Sequence, residues 1–293
     1  MGVIISGTGV GGMVWPPILN AIIDSIGFRN ALRIAGCLSL ALVSLAGSAL
    51  GWEPDFQTQV NAQIHGMNPV YGWLKIPLVD WKLAKTTRFT AQASGCFLQS
   101  AGYSIPLFFY AAYARTLGYS NSTATDFITV SNASNFVSRI AIGWGADRWG
   151  RINALAFTTL FSAVAVFGFW LPSMFEGSTV SSTSAEGLFI TFIVLYGSFA
   201  SAYISLFPAS LIELFGVQNF TSVNGALYLI RGIGALIGTP LIGLLIPQSA
   251  ALTSSMIYER AGITVGVLLC AATVACVIVR FEAMAGSPWR WKM

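Results

Sequence analysis

The sequence predicts an all-α polytopic membrane protein with about eight transmembrane helices. Of the 293 residues, 55% are apolar and only 9% are charged, and the mean hydropathy is +0.71. An ordinary soluble domain has roughly 45–50% apolar and about 25% charged residues, so this chain lacks the charge to cover a water-exposed surface. A soluble enzyme, a disordered tail and a nucleic-acid-binding domain are therefore excluded as first interpretations.

Eight stretches of the chain are long and apolar enough to be membrane spans, which need roughly 20 such residues. Short separators rich in Gly, Ser, Asn and Asp divide most of them. One separator, from about residue 51 to 90, is long and polar, and within it Pro77 argues against a long helix between Trp73 and Trp81. The predicted spans are residues 2–23, 30–50, 91–114, 124–145, 152–172, 187–215, 222–246 and 261–280.

The charge of the loops predicts the orientation of the spans. Eight spans place both termini on one side, and the loops and tail of that side hold nine Lys and Arg residues against four on the other side. Because Lys and Arg concentrate in cytoplasmic loops, both termini and the long loop are predicted to be cytoplasmic, at the plasma membrane or an internal membrane. The lipid bilayer is an expected partner, and no basic stripe indicates a nucleic acid.

Residues for catalysis or metal binding are scarce. His65 is the only histidine, and the cysteines, Cys37, Cys96, Cys270 and Cys276, lie in apolar runs. They show neither metal-ligand spacing nor a disulfide framework, and the spans hold no paired acids and no nucleophile beside a base. We therefore expect no enzyme activity, no catalytic residue, no metal and no cofactor. A channel is disfavoured as well, because rings of like-charged residues are missing.

One specific pattern lies between the fourth and fifth spans. It reads Gly143-Trp144-Gly145-Ala146-Asp147-Arg148-Trp149-Gly150-Arg151. Its glycines let two helix ends approach and turn tightly, and Asp147 can accept hydrogen bonds from amides or an arginine. This spacing is longer than a simple positive-inside turn needs, and it resembles the signature loop of the major facilitator superfamily. The resemblance implies a conformational-gating role for Gly143, Asp147, Arg148, Gly150 and Arg151.

The resemblance also implies a place for each span. Members of the superfamily have two six-helix halves, and the signature loop joins helices two and three and recurs between helices eight and nine. If this copy is the second, the visible spans are helices five to twelve, a major facilitator fold lacking its first four helices. The implied domains are residues 1–50 (last two helices of the N-terminal half), 51–90 (cytoplasmic inter-half loop), 91–282 (C-terminal six-helix half) and 283–293 (cytoplasmic tail).

Further matches narrow the resemblance to fungal monocarboxylate transporters. The aromatic and basic opening of their fifth-helix signature is absent, so we expect a chain truncated before helix five. The implied function is secondary transport, by alternating access, of a monocarboxylate or a similar small organic solute. The matching residues are the glycine-rich run Gly2 to Gly12, Pro16-Pro17, Gly27 to Ala31, Ala111 to Ala114, Arg139 four residues before Gly143, and Gly238-Thr239-Pro240.

Arg139 is the candidate substrate-binding residue. A guanidinium in mid-membrane costs at least ~2.5–3.5 kcal/mol, so it normally faces a cavity or a partner, and it can grip a carboxylate with two parallel hydrogen bonds. It matches the helix-eight arginine that engages the substrate carboxylate in monocarboxylate transporters. An alternative is that Arg139 pairs with a neighbouring helix for packing.

Two further residues complete the candidate binding site. Asn135 shares the helix face of Arg139 and stands where animal proton-coupled members have an aspartate. An amide does not titrate near neutral pH, so proton coupling through this position is not expected, while coupling elsewhere stays open. Phe199 resembles a helix-ten aromatic that shapes substrate selectivity, with plain packing as the alternative.

Arg231, inside the seventh predicted span, could line the cavity, pair with Glu213 or reach toward the interface, and a structural role is favoured. For the chain as a whole, the alternative to transport is a non-transporting truncated membrane protein. Such a protein would be a gene-model fragment, a pseudogene product or an interaction protein.

Overall fold

The described residues of the computed structural model, 2–49, 81–176, 183–246 and 255–285, are almost entirely helical, which confirms the predicted all-α class. A π-helical turn, Val166–Trp170, links the sixth helix to the seventh, and a 3₁₀ turn, Ser255–Tyr258, precedes the last. In chain order the helices are α1 (Gly2–Ile26), α2 (Phe28–Ala49), α3 (Trp81–Ala84), α4 (Thr87–Thr116), α5 (Asn121–Trp149), α6 (Arg151–Ala165), α7 (Leu171–Glu176), α8 (Thr183–Gly243) and α9 (Glu259–Ala285).

These helices coincide with the predicted spans, although several ends differ. α8 holds two predicted spans, because Gly216, with φ 78° and ψ 161°, breaks its helical geometry into segments 183–215 and 217–243. α4 begins inside the predicted long loop, since the Thr86 side chain caps it by accepting a hydrogen bond from the Phe89 amide. Most of that loop, including Pro77, lies outside the described residues.

Four stretches of the described residues are long and apolar enough to cross a membrane. Many large apolar side chains on them are exposed, which lipid tolerates and water does not. Helices α1, α4 and α5 are not among the four. Both α4 and α5 carry several polar side chains in their buried faces. The four stretches are Phe28–Ala49, Arg151–Glu176, Thr183–Leu241 and Met256–Met284.

The chain divides into two compact units. The first comprises Met1–Pro16 and Val79–Met293, and the second comprises Pro17–Leu78. In the first unit α8 is the central helix: it packs against α4, α5 and α6, while α9 packs against α4 and α6. In the second unit the C-terminal part of α1 leads into α2 through Gly27, whose φ is 81°.

The core of the first unit contains a cluster of aromatic rings. Trp170 stacks on Phe192 with ring centroids 5.0 Å apart, and the Tyr113 hydroxyl is hydrogen-bonded to the Ser173 hydroxyl at 2.9 Å. The π-helical turn before α7 ends on Trp170, which is fully buried. Because lipid tails remove the hydrophobic drive between helices, such rings stabilise the bundle through dispersion and aromatic contacts.

Close backbone contact joins the second segment of α8 to α4. A Cβ atom added to Gly238 would lie 2.4 Å from the Ala101 carbonyl oxygen, and one added to Gly234 would lie 2.6 Å from the Phe97 carbonyl oxygen. Only glycine permits this approach, since backbone atoms of α4 fill the space of a side chain. The spacing of four residues places both glycines on one face of α8.

We expect Gly238→Ala to destabilise the bundle by about 1–3 kcal/mol, because the added methyl group overlaps the α4 backbone. Gly232→Ala is the matched control, since a Cβ atom there meets nothing within 4 Å, and Ala is the better helix former by about 1 kcal/mol. Thermal unfolding of the detergent-solubilised variants measures both. An equal effect of the two substitutions would contradict the close contact.

Candidate functional site

The face of α5 that carries Arg139 and Asn135 is buried. Arg139 is only 2% exposed, and Ser131, Asn135 and Ser138 are buried with it. The carbonyl oxygen of the Asn135 side chain has no hydrogen-bond partner, although it is buried. Such a polar atom costs free energy unless something binds it, so this part of α5 presents polar groups for a partner.

The guanidinium of Arg139 contacts two other helices. Its Nη1 atom donates a hydrogen bond to the Thr8 hydroxyl of α1. It also interacts with the Tyr103 hydroxyl of α4. Arg139 therefore lies where α1, α4 and α5 meet, inside the first unit of the chain.

Glycines on α1 bring Thr8 to this position. A Cβ atom added to Gly12 would lie 2.3 Å from the Asn132 side-chain oxygen, and one added to Gly9 would lie 3.0 Å from the Phe136 backbone. The first turns of α1 thus pack directly on the face of α5 that carries Arg139. Small residues at the start of the chain therefore allow close contact between these two helices.

A second buried cation lies near the first. Arg231, on the second segment of α8, is 9% exposed, and its Nη1 atom is buried without a hydrogen-bond partner. Its guanidinium carbon is 5.5 Å from the centroid of the Tyr203 ring and 5.8 Å from that of Phe207. Both arginines are close enough to Tyr103 for their charges to affect its hydroxyl group. The charges of Arg139 and Arg231 also repel each other.

The geometry around Arg231 disfavours one of its three predicted roles, the ion pair with Glu213. Glu213 does not pair with it; the charges that act on Glu213 belong to Arg151 and Arg280. A cation–π contact contributes about 0.5–2 kcal/mol, whereas a guanidinium in mid-membrane costs at least ~2.5–3.5 kcal/mol. The rings of Tyr203 and Phe207 therefore offset only part of the cost of this charge.

Phe199 lies in a different cluster. Its ring contacts Phe161 and Phe157 of α6, with centroid distances of 5.1 and 6.1 Å. Its ring contacts are thus with α6, whereas the contacts of Arg139 are with α1 and α4. The role of Phe199 in selectivity stays a prediction.

The signature pattern forms a helix end with a one-residue turn. α5 continues through Trp149, and only Gly150, with φ 94° and ψ 136°, leaves the helical conformation before α6 starts at Arg151. Gly143 is thus a helical residue within α5, and the turn itself depends on Gly150, since φ near 94° is strained for residues with a side chain.

Charged residues of the pattern contact each other at this turn. Arg151 forms an ion pair with Asp147, with an N–O distance of 3.2 Å, and Glu213 of α8 lines the same surface cavity of about 250 Å³. Arg148 lies over the Trp144 ring at 3.6 Å. The turn therefore links α5, α6 and the first segment of α8 through charge as well as packing.

No group of three or more His, Cys, Asp and Glu side chains that could hold a metal ion occurs among the residues that the structure describes. The four cysteines are free thiols; Cys96 and Cys276 are buried, while Cys37 and Cys270 are exposed.

Sequence reasoning missed the polar face of α4. Gln92 and Gln99 are each 1% exposed, and Tyr103 follows them on the same face. Both side-chain polar atoms of Gln92 and the oxygen of Gln99 lack hydrogen-bond partners. The detectable signal was two glutamines spaced seven residues apart within a predicted membrane span, which is the spacing of one helix face.

Comparison with known proteins agrees with this architecture. A family model described as Major Facilitator Superfamily matches residues 1–239. An MFS-type transporter of Gibberella moniliformis is 25% identical over 289 residues, which cover 99% of this chain and 63% of the relative. An agnestins efflux protein of Paecilomyces divaricatus is 29% identical over 248 residues, 84% of this chain and 51% of the relative.

An aspyridones efflux protein of Emericella nidulans is 27% identical over 271 residues, 92% of this chain and 50% of the relative. The chain therefore spans between half and 63% of the length of these three curated relatives.

We expect Thr8→Val to destabilise the packing of α1 on α5, because it removes a hydrogen bond to a buried charged group, worth about 1–3 kcal/mol. Thr191→Val is the control, since the Thr191 hydroxyl bonds only to the Gly187 carbonyl of its own helix, at 2.8 Å. Thermal unfolding in detergent measures both variants. A loss of the same size in the control would contradict a specific contribution of Thr8.

Proposed function

Because the chain belongs to the Major Facilitator Superfamily, we propose that it forms all or part of a secondary transporter that moves a small organic anion by alternating access. Members of this superfamily hold their substrate near the bilayer midplane, and two halves rock around it. The observation that carries the proposal is the buried guanidinium of Arg139 in a stripe of polar groups on α5. An enzyme function has no comparable support.

Arg139 is proposed to bind the anionic group of the substrate. A planar guanidinium presents paired N–H donors to a carboxylate, and the buried Asn135 oxygen without a partner can accept a hydrogen bond from a substrate hydroxyl or amide. The Thr8 hydroxyl on α1 is a weaker partner than a carboxylate. Substrate binding would therefore exchange the contact with Thr8 for a charge-assisted one and loosen α1 from α5.

The substrate class is proposed to be a small organic anion, and a monocarboxylate is one member of that class. The resemblance to monocarboxylate transporters favours a carboxylate. The names of two relatives, efflux proteins for agnestins and for aspyridones, favour the export of organic compounds. Proton coupling through Asn135 has no support, because an amide does not titrate.

The turn at Gly150 is proposed to be a conformational gate on the cytoplasmic side. The ion pair of Asp147 with Arg151 and the neighbouring Glu213 would hold α5, α6 and α8 together in one conformation and separate in the other. The orientation rests on the distribution of Lys and Arg, which also supports cytoplasmic termini. The predicted division into residues 1–50, 51–90, 91–282 and 283–293 belongs to the same proposal.

Binding and transport assays on the chain in liposomes test the proposal. We expect radiolabelled benzoate, used as a simple carboxylate probe, to bind the wild-type chain, and Arg139→Gln to weaken that binding about tenfold or more, since removing a charged hydrogen-bonding partner costs about 1.5–3 kcal/mol. Arg115→Gln, which removes an exposed arginine, should leave binding unchanged.

Uptake measured in the same liposomes separates the two functions proposed for the chain. Benzoate counterflow that Arg139→Gln abolishes would support a transporter. Binding without counterflow would support the alternative, a non-transporting membrane protein. Equal binding by the Arg139→Gln variant and the wild-type chain would contradict the assigned role of Arg139.

We expect Asp147→Asn to loosen the turn between α5 and α6. An exposed ion pair contributes about 0.2–1 kcal/mol, so amide hydrogen exchange at residues 147–151 should accelerate by no more than about fivefold. Asp126→Asn, an exposed aspartate near the opposite end of α5, is the control. Unchanged exchange in the Asp147→Asn variant would argue against the ion pair as part of a gate.

A further inference from the structure

Buried polar groups continue beyond Arg139 along α4 and the second segment of α8. On α4 these are Gln92 and Gln99, and on α8 they are Asn224 and Arg231. Each pair is separated by seven residues, so each shares one helix face. Gln92, Gln99, Asn224 and Arg231 all have at least one side-chain atom that is buried without a hydrogen-bond partner.

The two polar faces adjoin. The Ser100 hydroxyl of α4 donates a hydrogen bond to the backbone carbonyl of Arg231 at 2.8 Å, and the Cys96 thiol lies 3.6 Å from the Leu227 carbonyl. Tyr103 lies one turn after Gln99. Its hydroxyl group is hydrogen-bonded to Arg139 and is also close enough to Arg231 to be affected by its charge. The polar groups of the two helices therefore form one row, and Arg139, Arg231 and Tyr103 lie close to one another in it.

Arg231 is buried with hydrogen-bond donors that no acceptor occupies. The contacts of Arg231 with the rings of Tyr203 and Phe207 leave its Nη1 hydrogens without an acceptor. No described carboxylate forms an ion pair with Arg231.

We propose that Arg231 forms a second anion-binding site, so that the substrate is an organic anion with two acceptor groups, one held by Arg139 and one by Arg231. This inference rests on the proposed function of Arg139. Two like charges near each other in a site of low dielectric repel, and a substrate with one acceptor neutralises only one of them. A second carboxylate accepts the donors of Arg231, and the Gln99 amide, next to Tyr103 along α4, supplies a further polar contact.

Aromatic probes are chosen because the rings of Tyr203 and Phe207 lie beside Arg231. The probes share a benzene ring and differ in their number of carboxylates, so the effect of charge can be distinguished from the effect of ligand size. The probes are benzamide, benzoate and the three benzenedicarboxylates (phthalate, isophthalate and terephthalate), which differ in the direction of the second carboxylate. Titration calorimetry on the wild-type chain in lipid nanodiscs measures each dissociation constant. We expect at least one dicarboxylate to bind about tenfold or more tightly than benzoate, and benzamide to bind most weakly.

Variants of the two arginines test which residue binds the first carboxylate and which binds the second. Arg231→Gln should remove the preference for the dicarboxylate over benzoate, whereas Arg231→Lys should keep part of that preference because it keeps the charge. Arg139→Gln should weaken benzoate itself. Arg115→Gln, at an exposed position, controls for a general loss of positive charge.

The outcomes separate this inference from the function on which it rests. If no dicarboxylate binds the wild-type chain more than about twofold tighter than benzoate, the second site is overturned, whether or not any variant folds. If Arg231→Gln weakens benzoate and dicarboxylate equally, Arg231 is structural and the second site is again overturned. If Arg139→Gln does not change the affinity for benzoate, the proposed function is overturned. If no probe binds the wild-type chain, the proposed function and the second site are both overturned.

Discussion

The burial of a guanidinium inside an apolar helical bundle is the constraint on which the rest of this structure depends. Arg139 is almost completely buried, and a charge in such a place needs polar contacts or a ligand. The chain meets this need with the Thr8 hydroxyl on α1 and the Tyr103 hydroxyl on α4. The glycines that let α1 approach α5 are therefore part of the site, because without close approach Thr8 would not reach the guanidinium.

Packing between helices fixes the positions of these polar groups. Gly234 and Gly238 allow α8 to touch the α4 backbone, which places Arg231 against the helix that also carries Tyr103. The aromatic cluster around Trp170 anchors the other side of α4 and the first segment of α8. In a bilayer these contacts depend on shape and dispersion, so a change of one methyl group at a contact can move a charged group of the site.

α5 connects the candidate binding site to the proposed gate. Arg139 and Asp147 lie eight residues apart on this helix, a rise of about 12 Å at 1.5 Å per residue. A continuous helix moves as a rigid element. If α1 separates from Arg139 and α5 shifts, the turn before Arg151 would therefore be displaced as well. Gly150 is the residue at which α5 and α6 can change their relative angle, since it alone leaves the helical conformation.

The sequence by itself determined the all-α membrane class and the glycine turn between α5 and α6, and it placed Arg139 and Asn135 on one helix face, because composition and helical period are local properties of the chain. The number of eight spans stays a prediction. The sequence also predicted the superfamily, which the family match confirmed. Only the tertiary structure decided that Thr8 and Tyr103 contact Arg139, that Arg231 lies beside Tyr203 and away from Glu213, and that the rings around Phe199 belong to α6. These contacts join residues about 30 to 130 positions apart, and no periodicity within one helix specifies which face of another helix will cover it.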